Sequence, residues 1–316
     1  MYKHVVKNES LAYTSTKEAD AVYVETGREQ RMISLEKSGL PLYLNEKNHV
    51  MALSALLEYE SYKRKYVEDM KGLLEDEKKL NPKEPFYDVY RGIDYPHDRE
   101  RFRTYEIRYD VTVIMPGTVN GECKKTSGHY HGWNPQKTKT YAEVYEVLLG
   151  TALYVLQKSR NIGATGQVSD TVVDDLILVI VHAGQTLIVP PGYGHASVNV
   201  GDGPMVFSNL AYIPCPVLYD TVRYFHGMGC YVNKDAEGLH LKRNENYAGL
   251  PRVKYATVRE DAELGIRFGV PVYKSFQKQP ELFRFLAQPE QYSDEVMSLL
   301  DYHDSLSEAI GKGGIS

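Results

Sequence analysis

Residues 184–199 read GQTLIVPPGYGHASVN, two short apolar runs on either side of a Pro-Pro-Gly turn. Similar runs recur from about Phe86 onward, rich in Val, Ile, Thr, Tyr and Leu and separated by Gly, Pro, Asn or Asp. Examples are YEIRYDVTVIMPG, EVYEVLLGTALYVLQ, DDLILVIVHAG and PMVFSNLAYIP. This texture is typical of an antiparallel sandwich or barrel. The sequence therefore predicts a mainly β protein with one central barrel.

The flanks of the predicted barrel have a different texture. Residues 50–77 are rich in helix formers with apolar positions three and four apart, which predicts one or two helices. Beyond Pro251, PELFRFLAQPEQ and SDEVMSLLDYHDSLSEAI are also predicted to be helical, with Ser293 or Asp294 as N-cap of the second. We expect three parts: an N-terminal arm and helical segment packing on the barrel (1–85), the barrel (86–250) and a C-terminal helical extension (251–316).

Composition excludes several classes of protein. The 37 basic and 42 acidic residues give a net charge of −5, which argues against a broad nucleic-acid-binding surface. The three cysteines lack CxxC spacing, so neither a zinc knuckle nor a disulfide framework is expected. The sequence has no apolar stretch long enough to cross a membrane and no signal-peptide pattern. We expect a cytoplasmic protein that contacts neither nucleic acid nor membrane.

Three histidines and a glutamate form the candidate metal site. His129 and His131 in GHYHG would share one face of a strand, because side chains two apart point the same way. Glu143 begins the next strand-like run, and His195 follows the Pro-Pro-Gly turn. An isolated HxH pair is more often a surface feature than a metal site. Together the four residues suit one divalent ion per subunit, with iron, manganese, nickel or zinc as candidates.

The opening segment resembles the second motif of the cupin superfamily, GxxxxxPxGxxHxxxN. Gly184, Pro190, Gly192, His195 and Asn199 fill every fixed position. The first cupin motif, HxH followed by Glu and then Gly, is matched by the candidate ligands and by the glycine that ends EVYEVLLG. The resemblance implies a single cupin barrel, a double-stranded β-helix or jelly roll, with a metal held by three histidines and one glutamate.

A wider set of motifs resembles the cupin-type phosphoglucose isomerases of archaea and some bacteria. TVIMPG, TSGHYH, EVYEVLLG, PPGYGHASVNVGDGP and FSNLAYIP occur in the order of that family, over about residues 60 to 250. The resemblance implies metal-dependent interconversion of glucose 6-phosphate and fructose 6-phosphate, with iron as the first expectation for the metal. It also implies a homodimer, since cupins commonly pair through their outer strands.

The resemblance also implies roles for individual residues. It places a substrate phosphate near Thr112, Thr126, Gly128 and Tyr212, and Lys124 or Lys125 could add charge. Glu143 is the candidate base, and Tyr141 and Tyr145 flank it on one strand face. We therefore predict a catalytic group and a substrate-binding group. The catalytic group is Glu143, Tyr141 and Tyr212, and the substrate-binding group is Thr112, Thr126, Gly128, Tyr145 and Tyr219.

Two features depart from the family pattern. Glu143 follows His131 by twelve residues, which is a longer gap than the family has, so the loop beside the metal differs. Leu218 stands where the family has a histidine, and His226 is out of register. Two other functions stay open: another cupin enzyme, either a phosphosugar isomerase or epimerase or a dioxygenase, and a non-catalytic sugar-phosphate sensor.

Overall fold

A computed structural model describes residues 20–25, 28–162, 168–291, 296 and 299–311. Strands dominate these residues, so the predicted mainly β class is confirmed. The strands, numbered in chain order, are β1 Asp20–Glu25, β2 Arg28–Ser34, β3 Leu42–Asn45, β4 Met51–Leu53, β5 Ser61–Tyr66, β6 Pro85–Arg91, β7 Ile107–Ile114, β8 Thr118–Val119, β9 Glu122–Cys123, β10 Tyr130–His131, β11 Glu143–Leu149, β12 Thr151–Ser159, β13 Val173–His182, β14 Thr186–Val189, β15 Tyr193–Asn199, β16 Met205–Tyr212, β17 Val217–Leu218, β18 Cys230–Asp235, β19 Gly238–Arg243, β20 Val253–Val258 and β21 Leu300–His303.

Helices are short throughout the described residues. The α-helices are α1 Arg99–Thr104, α2 Asp220–Tyr224, α3 Val272–Lys278 and α4 Leu306–Ile310. Turns of 3-10 helix span Glu36–Ser38, Val67–Met70, Val168–Asp170, Pro280–Leu286 and Pro289–Gln291. None of the helices in the described part of the chain is long and apolar enough to span a membrane.

Two large sheets build the centre of the molecule. One has six strands in the order β14-β11-β16-β7-β6-β5, and the other has five in the order β15-β12-β13-β20-β21. Their inner faces meet, since the ring of Tyr145 on β11 lies 5.3 Å from that of Tyr154 on β12. The candidate site also joins the two sheets, because the Tyr145 hydroxyl lies 2.7 Å from Nε2 of His195 on β15.

The six-stranded sheet is packed on both of its faces. Along β11, Tyr145 and Val147 belong to the core between the two sheets, whereas Val144 and Leu148 belong to a second core on the outer face. The alternation follows from the period of two along a strand. Residues from both ends of the chain complete the outer core, among them Leu42, Leu44, Tyr273, Phe276 and Phe283.

The prediction of helices over residues 50–77 is wrong. Strands β4 and β5 and a 3-10 turn occupy this segment. β5 is an edge strand of the six-stranded sheet and pairs with β6, with Tyr62 opposite Tyr90. Its sequence SYKRKY contains good helix formers, and pairing with a neighbouring strand overrides their propensity.

The predicted helical tail is partly correct. PELFRFL forms a 3-10 helix and α4 lies within the second predicted helix, but Leu300–His303 forms β21 beside β20. The expected N-cap at Ser293 or Asp294 lies outside the described residues. The division at residues 85 and 250 stays a prediction. β5 and β20 lie outside the range 86–250 and pair with strands inside it.

Candidate active site

Backbone pairing brings the two histidine motifs together. The N–H of His129 donates to the carbonyl of His195 at 3.1 Å, and the reverse bond is 2.9 Å. Gly128 precedes this bridge with φ +75°, and a Cβ there would lie 3.1 Å from Met228 Sδ. Such a backbone conformation favours glycine. The TSGHYH motif therefore fixes both the turn and the position of the first imidazole.

The four predicted ligands form one group. Their candidate ligand atoms all lie within 4.8 Å of one another. Glu143 Oε2 lies 3.1 Å from His131 Nε2, 3.4 Å from His195 Nε2 and 3.9 Å from His129 Nε2. Three imidazole nitrogens and one carboxylate oxygen converging on one point are a donor set that several divalent metals accept. The residues present therefore fit a bound metal.

Neighbouring groups hold the carboxylate and the imidazole of His131 in place. Asn209 Nδ2 donates to Glu143 Oε1 at 2.8 Å, and the Tyr145 hydroxyl donates to Glu143 Oε2 at 2.9 Å. His131 Nδ1 lies 2.9 Å from the carbonyl oxygen of Tyr141. With that nitrogen protonated, Nε2 presents a lone pair to the centre of the group. His195 Nδ1 is buried and has no hydrogen-bond partner among the described residues.

The protonation states also suit a cation. Burial acts to raise the pKa of Glu143, but hydrogen bonds from His131 and His195 outweigh it and hold that pKa well below its usual range. Burial and the neighbouring imidazoles lower the pKa of His129, and burial lowers the pKa of His195. Burial also acts against a charged His131, but its contact with Glu143 raises the pKa of that imidazole, so a metal would displace its proton.

A cavity of about 420 Å³ opens beside this group. The Tyr212 hydroxyl, at the cavity wall, donates to Glu106 at 3.2 Å. Tyr141 does not line the cavity, and its ring packs on that of Tyr212 at 5.1 Å. The predicted substrate-binding residues all line the cavity: Thr112, Thr126, Gly128, Tyr145 and Tyr219.

The lysines considered for the phosphate are engaged elsewhere. Lys124 Nζ pairs with Glu84 at 2.6 Å and donates to the carbonyl of Pro85. Lys125 forms a buried ion pair with Glu122. Neither lysine lines the cavity. The structure therefore does not bear out the expectation that they add charge there.

Several cavity residues were missed from the sequence. Period-two spacing was the available signal, since Arg108 and Asp110 lie four and two residues before Thr112 on β7. The same spacing relates three cavity residues on β6, which pairs with β7. Among the missed residues are Tyr87, Val89, Arg91, Arg108, Asp110, Ser127 and Asn209.

The two departures from the family pattern have structural counterparts. The longer loop closes on itself, since Asn134 Oδ1 accepts from the N–H of Thr138 at 2.9 Å. Leu218 lies on β17 opposite Tyr130, and its side chain packs against the core between the two large sheets. His226 does not line the cavity. None of these residues supplies an imidazole in place of the family histidine.

Comparisons with known proteins identify the family to which this chain is similar. The family model described as glucose-6-phosphate isomerase matches residues 64–249. The glucose-6-phosphate isomerase of Thermococcus gammatolerans is 30% identical over 156 residues, covering 48% of this chain and 69% of that protein. That of Pyrococcus abyssi is 29% identical over 157 residues, with the same coverage of both chains.

A structural match is much weaker. A structure of oxalate oxidase superposes with a TM-score of 0.28 and 18% identity, covering 39% of this chain and 50% of that chain.

Proposed function

The chain belongs to the glucose-6-phosphate isomerase family, and on that premise we propose that it interconverts glucose 6-phosphate and fructose 6-phosphate. The observation that carries the proposal is the convergence of His129, His131, Glu143 and His195 on one point beside a cavity. The mixed lining of the cavity includes charged and hydroxyl side chains, among them Arg91, Arg108 and Thr112, which suit the phosphate and hydroxyl groups of a sugar phosphate.

The three histidines and Glu143 would hold the metal. When bound, a divalent metal would act as a Lewis acid that polarises the oxygens at C1 and C2 of the open-chain sugar. We propose iron first, with manganese, nickel or zinc as alternatives, because this donor set accepts several divalent ions. We also propose a homodimer in the cytoplasm, following the family.

Glu143 is the proposed base. On an enediol route, its carboxylate would take a proton from one of the two reacting carbons and return it to the other. Asn209 and Tyr145 each donate to a different oxygen of this carboxylate and so fix its plane. Binding to a metal would weaken Glu143 as a base, so its two roles compete. The proposed contacts to the rest of the substrate are Thr112, Thr126, Gly128 and Tyr219. Tyr212 is a further member of the site, and Tyr141 supports it by packing on its ring.

A coupled assay for conversion of fructose 6-phosphate to glucose 6-phosphate tests the proposal. It should be run on EDTA-stripped protein before and after adding Fe²⁺, Mn²⁺, Ni²⁺ or Zn²⁺. We expect turnover to be lost on stripping and restored by at least one metal. Sugar binding without turnover under every metal would contradict the isomerase and favour a sensor.

Removing one ligand tests the metal group. His131→Ala should lose most of its metal, measured as equivalents retained after dialysis, together with turnover. His240→Ala is a matched control, since His240 is an exposed histidine paired with Asp235. A His131→Ala protein that retains a full equivalent of metal would count against the assignment of ligands.

A further inference from the structure

Two arginines line the same cavity as the histidine and glutamate group. Arg108 lies on β7 and Arg91 on the neighbouring β6. Lys124 and Lys125 are engaged elsewhere. Among the described residues, no other lysine or arginine side chain lines the cavity. A phosphate dianion binds most strongly to planar, multidentate donors such as these two guanidinium groups.

Arg108 is held in a fixed orientation. Its Nε donates to Asp110 Oδ1 at 2.8 Å, and its Nη2 donates to Asp110 Oδ2 at 2.9 Å. The N–H of Gly92 also donates to Asp110 Oδ1, at 2.9 Å. Nη1 of Arg108 makes no hydrogen bond within the described part of the chain. Asp110 therefore positions the guanidinium and leaves one of its edges free for another anion.

Arg91 is the less committed of the two. It lies two residues beyond Val89, which pairs with Thr112, so it stands beside Asp110. Its side chain makes no ion pair or hydrogen bond with any described residue. Two acidic residues are neighbours of Arg91. Glu60 is bonded to it through the backbone, since its N–H donates to the Arg91 carbonyl, and Asp110 is already paired with Arg108. Arg91 is thus the cation available to an incoming ligand.

The sheet register sets the backbone separation between Arg108 and the candidate base. Ala211 on β16 pairs with Arg108 on β7, and Tyr145 on β11 pairs with Asn209 on β16. Glu143, Ala211 and Arg108 therefore lie in one row across three strands. Two strand spacings separate the ends of this row by about 10 Å. A six-carbon chain with a terminal phosphate spans about 8 Å from ordinary bond lengths.

The residue between the two ends leaves room for a ligand. Ala211 presents only a methyl group to the cavity, between Glu143 and Arg108. We propose that Arg91 and Arg108 bind the phosphate of the open-chain substrate while its carbonyl end lies at the histidine and glutamate group. The assignment rests on the proposed function for the identity of the sugar.

Arg91→Ala tests the assignment in the metal-loaded enzyme. We expect KM for fructose 6-phosphate to rise about tenfold or more with little change in kcat, since the lost contact is made in ground state and transition state alike. Arg91→Lys should recover part of the loss. Arg252→Ala is the matched control, because Arg252 is exposed and does not line the cavity. A KM for Arg91→Ala within about twofold of the wild-type value would overturn the proposal.

A charge-neutral pair of substitutions tests Arg108. Removing Arg108 alone would leave Asp110 buried without its partner, so the double variant Arg108→Gln with Asp110→Asn is preferable. We expect its KM to rise as well. An unchanged KM in this folded double variant would remove Arg108 from the assignment.

Direct binding separates this proposal from the proposed function. Calorimetry with inorganic phosphate and with fructose 6-phosphate needs no turnover. The wild-type protein could lack isomerase activity and still bind both anions, with Arg91→Ala binding them about tenfold more weakly. That result would support the anion site and contradict the proposed isomerase function. Equal binding by wild type and Arg91→Ala would refute the anion site even in an active isomerase.

Discussion

Glu146 is a buried carboxyl whose replacement should stabilise the protein at alkaline pH. It lies on the outer face of β11, only 1% exposed. Its Oε2 accepts from the N–H of Val272 at 3.2 Å and from Ser208 Oγ at 3.4 Å. Burial raises the pKa of Glu146 from 4.5 to about 8, and these two hydrogen bonds offset that rise only in part. The carboxyl is therefore mostly protonated in the folded protein at neutral pH.

The pKa shift sets the size of the effect. Below pH 4.5 the group is protonated in both folded and unfolded chains, and its contribution to stability is fully present. As the pH rises toward 8 the unfolded chain releases the proton first, so folding loses about 1.4 kcal/mol per pH unit. Between pH 5 and pH 8 the loss amounts to roughly 3 kcal/mol. Glu146→Gln keeps the shape of the side chain and cannot ionise.

Urea unfolding at pH 5, 6.5 and 8 measures this difference. The free energy of unfolding of Glu146→Gln should nearly match that of the wild type at pH 5 and exceed it by roughly 3 kcal/mol at pH 8. Glu237→Gln, at an exposed turn position, should show no such divergence. The reasoning is refuted if the difference between Glu146→Gln and wild type is the same at all three pH values.

Two further substitutions test the site and the outer core. Asn209→Ala removes the donor that orients Glu143 Oε1, so the affinity for the restoring metal, measured by competition with a chelator, should fall about tenfold or more. An unchanged affinity would show that this bond does not support the ligand. Phe276→Ala empties a fully buried site whose ring lies 4.7 Å from that of Phe102 and should cost about 3–5 kcal/mol in urea unfolding. A loss below about 1 kcal/mol would mean that the C-terminal segment adds little to the outer core.

Much of the centre of the fold could be predicted from the sequence. Short β-rich runs and the two histidine motifs sufficed for a mainly β protein with His129, His131, Glu143 and His195 in one group. Local patterns carry this information, because strand periodicity and turn residues act over a few positions.

The rest depends on contacts between distant segments. SYKRKY becomes an edge strand because β6 is available to pair with it, and no local pattern reports that partner. Neither Arg91 nor Arg108 stands in a motif. Period-two spacing places Arg108 on the same strand face as Thr112, but the register of β6, β7 and β16 is needed to bring both arginines to one cavity. The lysines next to the TSGH motif were favoured by proximity in sequence, and the structure pairs both with glutamates instead.

The double-sided packing of the six-stranded sheet has a consequence for how this chain can change over evolution. A single-residue insertion within β7 or β11 would exchange the residues that face the cavity with those that face the outer core. At the cavity, Val111 would take the place of Thr112, and Val144 would take the place of Glu143. The cavity would lose its polar groups, and the outer core would lose its apolar side chains. We therefore expect length variation mainly in the connections between strands, or at bulges such as the one between Val147 and Leu149 on β11. The loop between His131 and Glu143 is one such connection, and the extra residues there leave the pairing of β10 and β11 with their neighbours intact.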